Sequence, residues 1–139
     1  MSAAPVWVVD DDESYRELLA MVVETRCRQP VQSFASGEEA IRALGATPRS
    51  QHPGLLLLDF HMPGLDAPGV LRALRAAHLR VPAAVLSGAA TAEERATCER
   101  EGAVVFLEKP ARIEDLTQAL LQLTAAPAGT GAAGARSTP

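Results

Sequence analysis

The chain has 139 residues, enough for one domain, and a domain of this size can fold around its own core without disulfides or a structural metal. Its net charge of −4 argues against direct nucleic-acid binding, which needs a basic face. The two cysteines form no spaced motif, no signal-peptide pattern is present, and no apolar run approaches the roughly 20 residues of a membrane span. These features predict a cytoplasmic protein that does not contact a membrane.

The first part of the chain has the pattern strand, helix, strand, helix. Val6–Val9 is an apolar run rich in β-branched residues, which predicts a strand buried on both faces. An apolar stripe at helical spacing follows over residues 15–23, and Val31–Phe34 is a weaker strand. Ser36 and Glu39 form a capping box, so we expect a helix to begin there.

The same alternation continues to residue 124. A second capping box, Thr91 with Glu94, opens a helix with a weak apolar face. The other elements expected here are a strand at Leu55–Leu58, a helix around residues 70–74, strands at Val81–Leu86 and Val104–Leu107, and a last helix with a stripe from Ile113 to Leu123.

Five repeats of strand and amphipathic helix predict an α/β fold with a parallel sheet covered on both faces and right-handed crossovers. We expect this domain to occupy residues 1–124. Residues 125–139 contain eleven Ala, Gly or Pro and show no periodicity, so they are expected to form a disordered tail or linker.

Polar residues stand where the predicted strands end. Asp10 and Asp11 follow the first strand, Asp59 the third, Ser87 the fourth and Lys109 the fifth. The carboxyl ends of parallel strands share one edge of the sheet, and ligands of open α/β sheets bind there. We therefore expect these five side chains to meet.

The residue types indicate phosphoryl transfer. Three neighbouring carboxylates repel one another, and a hard cation with oxygen ligands, Mg²⁺ above all, relieves that repulsion. One carboxylate can serve as a nucleophile that forms an aspartyl phosphate. Lys109 would supply a cation for the transferring group, and Ser87 could donate a hydrogen bond to it.

Four sequence blocks carry a family resemblance. They are Val8-Val9-Asp10-Asp11, Leu58 to Pro63, Val85-Leu86-Ser87-Gly88 and Phe106 to Pro110. Their order and spacing resemble those of response-regulator receiver domains of two-component signalling, similar to chemotaxis regulators, over residues 6–124. The resemblance implies a flavodoxin-like, doubly wound sheet with strand order 2-1-3-4-5.

The resemblance also implies a role for each site residue. Asp59 would be the phosphoacceptor, and Mg²⁺ (or Mn²⁺) would be bound by Asp10, Asp11, Asp59 and the backbone carbonyl of His61. Ser87 and Lys109 would contact the phosphoryl group. Phe106 would be an aromatic that turns inward when Ser87 moves, and the Lys109–Pro110 peptide would be cis.

Some positions depart from the family pattern. Ala67 stands where glycine is usual, and Pro68-Gly69 follows where helix formers are usual, which would reshape the start of the third helix. His61 and Ala89, two residues after Asp59 and Ser87, are unusual at positions expected to tune dephosphorylation. We therefore expect a phosphoryl lifetime unlike that of the fastest regulators.

The leading interpretation is a phosphorylation-dependent binding module rather than an enzyme. A histidine kinase or phosphotransfer protein would donate the group, and the fourth helix, fifth strand and fifth helix would change partner binding or form a dimer. The same domain could be a fragment of a larger regulator such as a transcription factor. The alternatives are a Mg²⁺-dependent phosphohydrolase, disfavoured by His61, and a degenerate receiver that serves only as a scaffold.

Overall fold

A computed structural model describes residues 4–125. Within that range five strands and five α-helices alternate, as the sequence predicts, with a short 3₁₀ helix at Arg49–Gln51. In chain order the elements are β1 (Val6–Val9), α1 (Glu13–Thr25), β2 (Val31–Phe34), α2 (Gly37–Gly45), β3 (Leu55–Asp59), α3 (Ala67–Ala76), β4 (Ala83–Ser87), α4 (Ala92–Arg100), β5 (Val105–Glu108) and α5 (Ile113–Ala125).

The strands form one parallel sheet in the order β2-β1-β3-β4-β5, which confirms the predicted doubly wound topology. The order reverses beside β1, and this places a crevice at the carboxyl ends of β1 and β3. Val9 pairs with Leu58, so the next residues, Asp10 and Asp59, are neighbours across the two strands. The register of the sheet thus brings distant carboxylates together.

Both faces of the sheet are covered, which explains why the central strands lack alternating polar residues. On one face Leu56 and Leu58 pack in a core that includes residues of α2 and α3. On the other face Leu57 packs with residues of α1 and α5. The four-leucine run is therefore a strand whose successive side chains enter two different cores.

Two strands begin later than the sequence suggests. β4 begins at Ala83 rather than Val81, because Pro82 has no N–H to donate to the sheet. β5 covers residues 105–108, and Val104 is 59% exposed instead of buried. Ile113, expected on the buried stripe of the last helix, is also exposed.

The start of α3 is regular despite its unusual sequence. The Asp66 carboxylate caps the helix by accepting from the backbone N–H of Gly69 at 3.0 Å, and Pro68 lies in the first turn, where its missing N–H costs nothing. The reshaping of this helix start relative to the family pattern stays a prediction.

Among residues 4–125 no helix is both long and apolar enough to cross a membrane. The tail expected over residues 125–139 lies outside the described residues apart from Ala125, which ends α5.

Candidate functional site

Three carboxylates gather at the carboxyl ends of β1 and β3. Asp10 is fully buried, Asp59 is 7% exposed and Asp11 is exposed. One oxygen from each lies within 4.8 Å of the others. The Asp10 backbone N–H donates to the carbonyl of Phe34 on β2, and Asp10 Oδ1 accepts from the Asp12 N–H at 2.9 Å, so Asp10 is held rigidly at the strand end.

Lys109 reaches this cluster from the end of β5. Its Nζ lies 2.9 Å from Asp59 Oδ1 and 3.5 Å from Asp10 Oδ2. The backbone N–H of Lys109 donates to the carbonyl of Ser87, which aligns the end of β5 with that of β4. The ammonium also lies 4.3 Å from the centre of the Tyr15 ring, a cation–π contact from α1 that restricts the amine.

Burial dominates the ionisation of the two inner carboxylates. Desolvation raises the pKa of Asp10 and of Asp59 above their ordinary values, even though the Lys109 amine beside them acts in the opposite direction. Burial opposes the charge on Lys109 too, but its hydrogen bond to Asp59 and the charges of Asp10 and Asp59 together raise its pKa. Lys109 therefore stays charged at neutral pH.

The residues fit a hard divalent cation. Three ionised carboxylates against one ammonium leave two uncompensated negative charges, which equals the charge of one Mg²⁺. All the clustered ligand atoms are carboxylate oxygens, which suits Mg²⁺ or Mn²⁺ rather than a softer metal. The expected participation of the His61 carbonyl stays a prediction.

Ser87 is the last residue of β4 and is fully buried. Its hydroxyl donates to Glu94 Oε1 at 2.5 Å and accepts from the backbone N–H of Ala90 at 3.1 Å. Glu94 Oε2 lies 2.8 Å from His61 Nε2. Mild burial opposes ionisation of Glu94, but the contacts with Ser87 and His61 lower the pKa of its carboxyl.

Sequence reasoning missed Glu94 as a site residue. Its position three residues after Thr91 is fully explained by a capping box, so its side chain was assigned to the helix start. The signal that could have found it is its place one turn into the helix that follows Ser87. His61 is solvent-exposed, but its imidazole is paired with Glu94 rather than free.

Phe106 is 4% exposed, so its ring already points into the core. The Arg95 guanidinium lies 5.0 Å from the ring centre, and Arg95 Nη1 donates to the Phe106 carbonyl. This inward ring coexists with a Ser87 that is bound to Glu94. The proposed coupling between Ser87 and Phe106 therefore stays a prediction.

The expected cis peptide at Lys109–Pro110 is wrong for this structure. Between residues 4 and 125 no peptide bond is cis. The trans form of a bond before proline is lower in free energy by about 0.5–1 kcal/mol. With the trans bond the Lys109 amine already reaches Asp59.

Asp12, next to the cluster, caps α1 instead of joining the three carboxylates. Its Oδ1 accepts from the backbone N–H groups of Ser14 and Tyr15. Trp7 is 1% exposed and packs 4.8 Å from the ring of Phe34, as expected for a core residue.

Comparison with known proteins agrees with this geometry. The family model described as "Response regulator receiver domain" matches residues 6–121. The chain is 30% identical over 115 residues to the DNA-binding transcriptional regulator NtrC of Escherichia coli, covering 83% of this chain and 24% of that protein. It is 38% identical over 119 residues to the positive alginate biosynthesis regulatory protein of Pseudomonas aeruginosa, covering 83% of this chain and 45% of that protein.

A solved structure shares the fold. The crystal structure of a response regulator receiver protein from Pseudomonas putida superposes with a TM-score of 0.74 at 27% identity, covering 88% of this chain and 98% of that one. The chain therefore matches one such domain almost end to end, while it spans less than half of the curated relatives named above.

Proposed function

The chain belongs to the response regulator receiver domain family, whose members are phosphoacceptor switches, and we propose that Asp59 is the residue that accepts the phosphoryl group here. The observation that carries the proposal is the contact between Asp59 Oδ1 and Lys109 Nζ at 2.9 Å, inside a cluster of three carboxylates. Asp10 and Asp11 lie at the adjacent strand end, where they would hold Mg²⁺ together with Asp59.

In the proposed reaction an Asp59 carboxylate oxygen attacks the phosphorus of the donor. A bond forms between that oxygen and phosphorus, and the bond from phosphorus to the donor's nitrogen or oxygen breaks, with its electron pair leaving on the donor. Mg²⁺, when bound, would neutralise the carboxylates and the charge on the phosphoryl oxygens. Lys109 provides a positive charge already in place beside Asp59, so little reorganisation is needed as charge develops.

Raised pKa values at Asp10 and Asp59 fit this chemistry. Burial raises the pKa of both carboxyls, so a bound cation would favour the ionised, nucleophilic form of Asp59 beside its charged neighbours. Asp59 is 7% exposed, so a donor must approach from the open edge above the strand ends.

The donor would be a sensor histidine kinase or a phosphotransfer protein. The output would be a change in binding at the surface formed by α4, β5 and α5, with dimerisation through that face as one form of output. The curated relatives extend well beyond the matched part, so the chain would act either alone or as the receiver of a longer regulator. The cytoplasmic location inferred from the sequence stays a prediction.

We further propose that dephosphorylation is slow. Ala89 has no polar side chain that could orient a water molecule, and the His61 imidazole is engaged by Glu94 at 2.8 Å. The phosphoryl lifetime of the isolated protein should be minutes or longer, followed as loss of phosphoprotein after the donor is removed. A lifetime of seconds would contradict this.

The experiment is self-phosphorylation by acetyl phosphate. With Mg²⁺ we expect up to one acid-labile, hydroxylamine-sensitive phosphoryl group per chain, and none in Asp59→Asn or in the presence of EDTA. Repeated turnover of an external phosphate ester would instead indicate a phosphohydrolase. No incorporation in the wild-type protein would indicate a scaffold and overturn the proposal.

A further inference from the structure

Glu94 joins three segments around the proposed phosphorylation site. One carboxylate oxygen accepts from the hydroxyl of Ser87 at the end of β4, and the other contacts His61 in the segment that follows β3. Glu94 itself lies in the first turn of α4, and its side chain is 13% exposed. A single carboxylate thus ties the start of α4 to the two strand ends beside the site.

The Glu94 carboxylate does not play the capping role that its sequence position suggests. In a capping box the residue three positions after the cap accepts from the backbone N–H of the capping residue. Here the Thr91 hydroxyl accepts from the Glu94 N–H at 3.0 Å. Within residues 4–125, however, one Glu94 carboxylate oxygen contacts Ser87 and the other contacts His61, and neither accepts from the Thr91 N–H. The hydrogen bond from the Glu94 N–H to Thr91 forms, while the Glu94 carboxylate binds residues of the proposed site.

Helix α4 depends on such polar contacts because its apolar contribution is small. Among residues 92–100, all of which the structure describes, Cys98 is the one buried residue, and even Ala92 and Ala96 are exposed. The contacts of Glu94, and of its neighbour Arg95 with Phe106, therefore contribute a large share of what holds the first turn in place.

A serine hydroxyl has one proton to donate. The proton of Ser87 is donated to Glu94, and the oxygen accepts from the Ala90 N–H. Ser87 cannot keep the bond to Glu94 and also donate to a phosphoryl oxygen on Asp59. We propose that Glu94 is a positioning residue that holds Ser87 in the unphosphorylated arrangement and competes with the phosphoryl group for the Ser87 proton.

This inference rests on the proposed function, since it assigns a competitor to the site where Asp59 would be phosphorylated. If Ser87 donated to the phosphoryl group instead, the Glu94 carboxylate would lose one of its two contacts and keep the one with His61. The next residue, Arg95, contacts the ring and carbonyl of Phe106. A shift of the first turn of α4 would therefore also change its contact with β5. Glu94 would thereby set how strongly phosphorylation is coupled to the position of α4.

The test is a double-mutant cycle on binding of beryllium fluoride, a phosphoryl mimic, measured by calorimetry with Mg²⁺ present. Glu94→Ala should tighten binding by about tenfold, the order expected for loss of a competing hydrogen bond to a charged group. In the Ser87→Ala background the same Glu94 substitution should change affinity by less than about twofold, because no proton remains to compete for. Glu94→Gln, which keeps a neutral acceptor, should fall between Glu94→Ala and wild type.

Glu93→Ala is the matched control. Glu93 lies in the same first turn, is exposed, and within the described residues 4–125 makes no side-chain hydrogen bond or ion pair. Its substitution removes one negative charge near the N-terminus of α4, as Glu94→Ala does, and so has a similar effect on the interaction with the helix dipole. It should leave the affinity within about twofold of wild type.

The outcomes separate the two proposals. If wild-type protein binds beryllium fluoride and Glu94→Ala has the same effect with and without Ser87, a general charge effect explains it and the competition is wrong. Unchanged or weaker binding by both Glu94 variants, with circular dichroism like wild type, also overturns it; Glu94→Gln decides the matter if Glu94→Ala does not fold. Failure of the wild-type protein to bind beryllium fluoride would instead contradict the proposed function.

Discussion

Adding Mg²⁺ to the protein should raise its melting temperature, because the folded chain gathers charges that the unfolded chain separates. Asp10, Asp11 and Asp59 face one ammonium, Lys109, which leaves the charge deficit that one Mg²⁺ would balance. A ligand that binds only the folded state, present at about 100 times its dissociation constant, adds about 2.7 kcal/mol to the free energy of unfolding. For a domain of this size that corresponds to roughly 8 °C.

The assay is a thermal scan in EDTA and at increasing Mg²⁺, with two variants that each remove one negative charge. Asp10→Asn removes a buried carboxylate of the cluster and should abolish most of the shift. Asp12→Asn should retain it, because Asp12 caps α1 and asparagine caps equally well. An equal shift in both variants, or none in wild type, would refute the reasoning.

In EDTA, the free energy of unfolding should fall as pH rises through the pKa values of Asp10 and Asp59, because burial raises them and the folded protein still holds protons that the unfolded chain has released. Asp10→Asn should flatten that fall in urea titrations run upward from pH 3.8, the ordinary pKa of an aspartate; identical profiles would contradict the assignment. Tyr15→Phe should leave stability unchanged or raise it by up to about 1 kcal/mol, since the Tyr15 hydroxyl is buried without a hydrogen-bond partner among residues 4–125. Tyr15→Leu should lose the roughly 0.5–1 kcal/mol of the cation–π contact with Lys109, and equal losses in the two urea curves would count against that contact.

The strands were predictable because their signals are local and strong, whereas their order was implied by the family resemblance. Leu55 to Leu58 could be read as a strand buried on both faces, since four leucines between turn residues are too short a run for a helix. Once the strands were parallel, the residues after them had to share an edge, and Asp10, Asp59 and Lys109 do. The gathering of the site thus follows from topology.

Boundaries were less predictable because apolar character does not decide hydrogen bonding. Val81 and Val104 extend apolar runs, but Pro82 delays β4. Val104 precedes β5 and is exposed, although its backbone N–H donates to the carbonyl of Ala83. Ile113 fits the helical stripe, yet it begins α5 and lies at the surface. A periodic pattern gives the face of a helix but not where along that helix the core ends.

The position of Glu94 at the start of the helix after Ser87 suggests a place near the site, but which partners its carboxylate contacts depends on side-chain conformation in three dimensions. The carboxylate could accept from the backbone N–H of the capping residue, as in a capping box, or bind Ser87 and His61. The sequence does not favour the second arrangement over the first. The isomer of the Lys109–Pro110 bond was likewise taken from the family resemblance, and it is trans.

The central claim, that Asp59 is the phosphoacceptor, is tested most directly by locating the group. After incubation with acetyl phosphate and Mg²⁺, borohydride reduces an aspartyl phosphate to homoserine, which tandem mass spectrometry places in the sequence. We predict homoserine at position 59 alone, and none after omission of Mg²⁺. Conversion at Asp10 or Asp11 instead, or an unmodified Asp59 in a folded protein, would contradict the account.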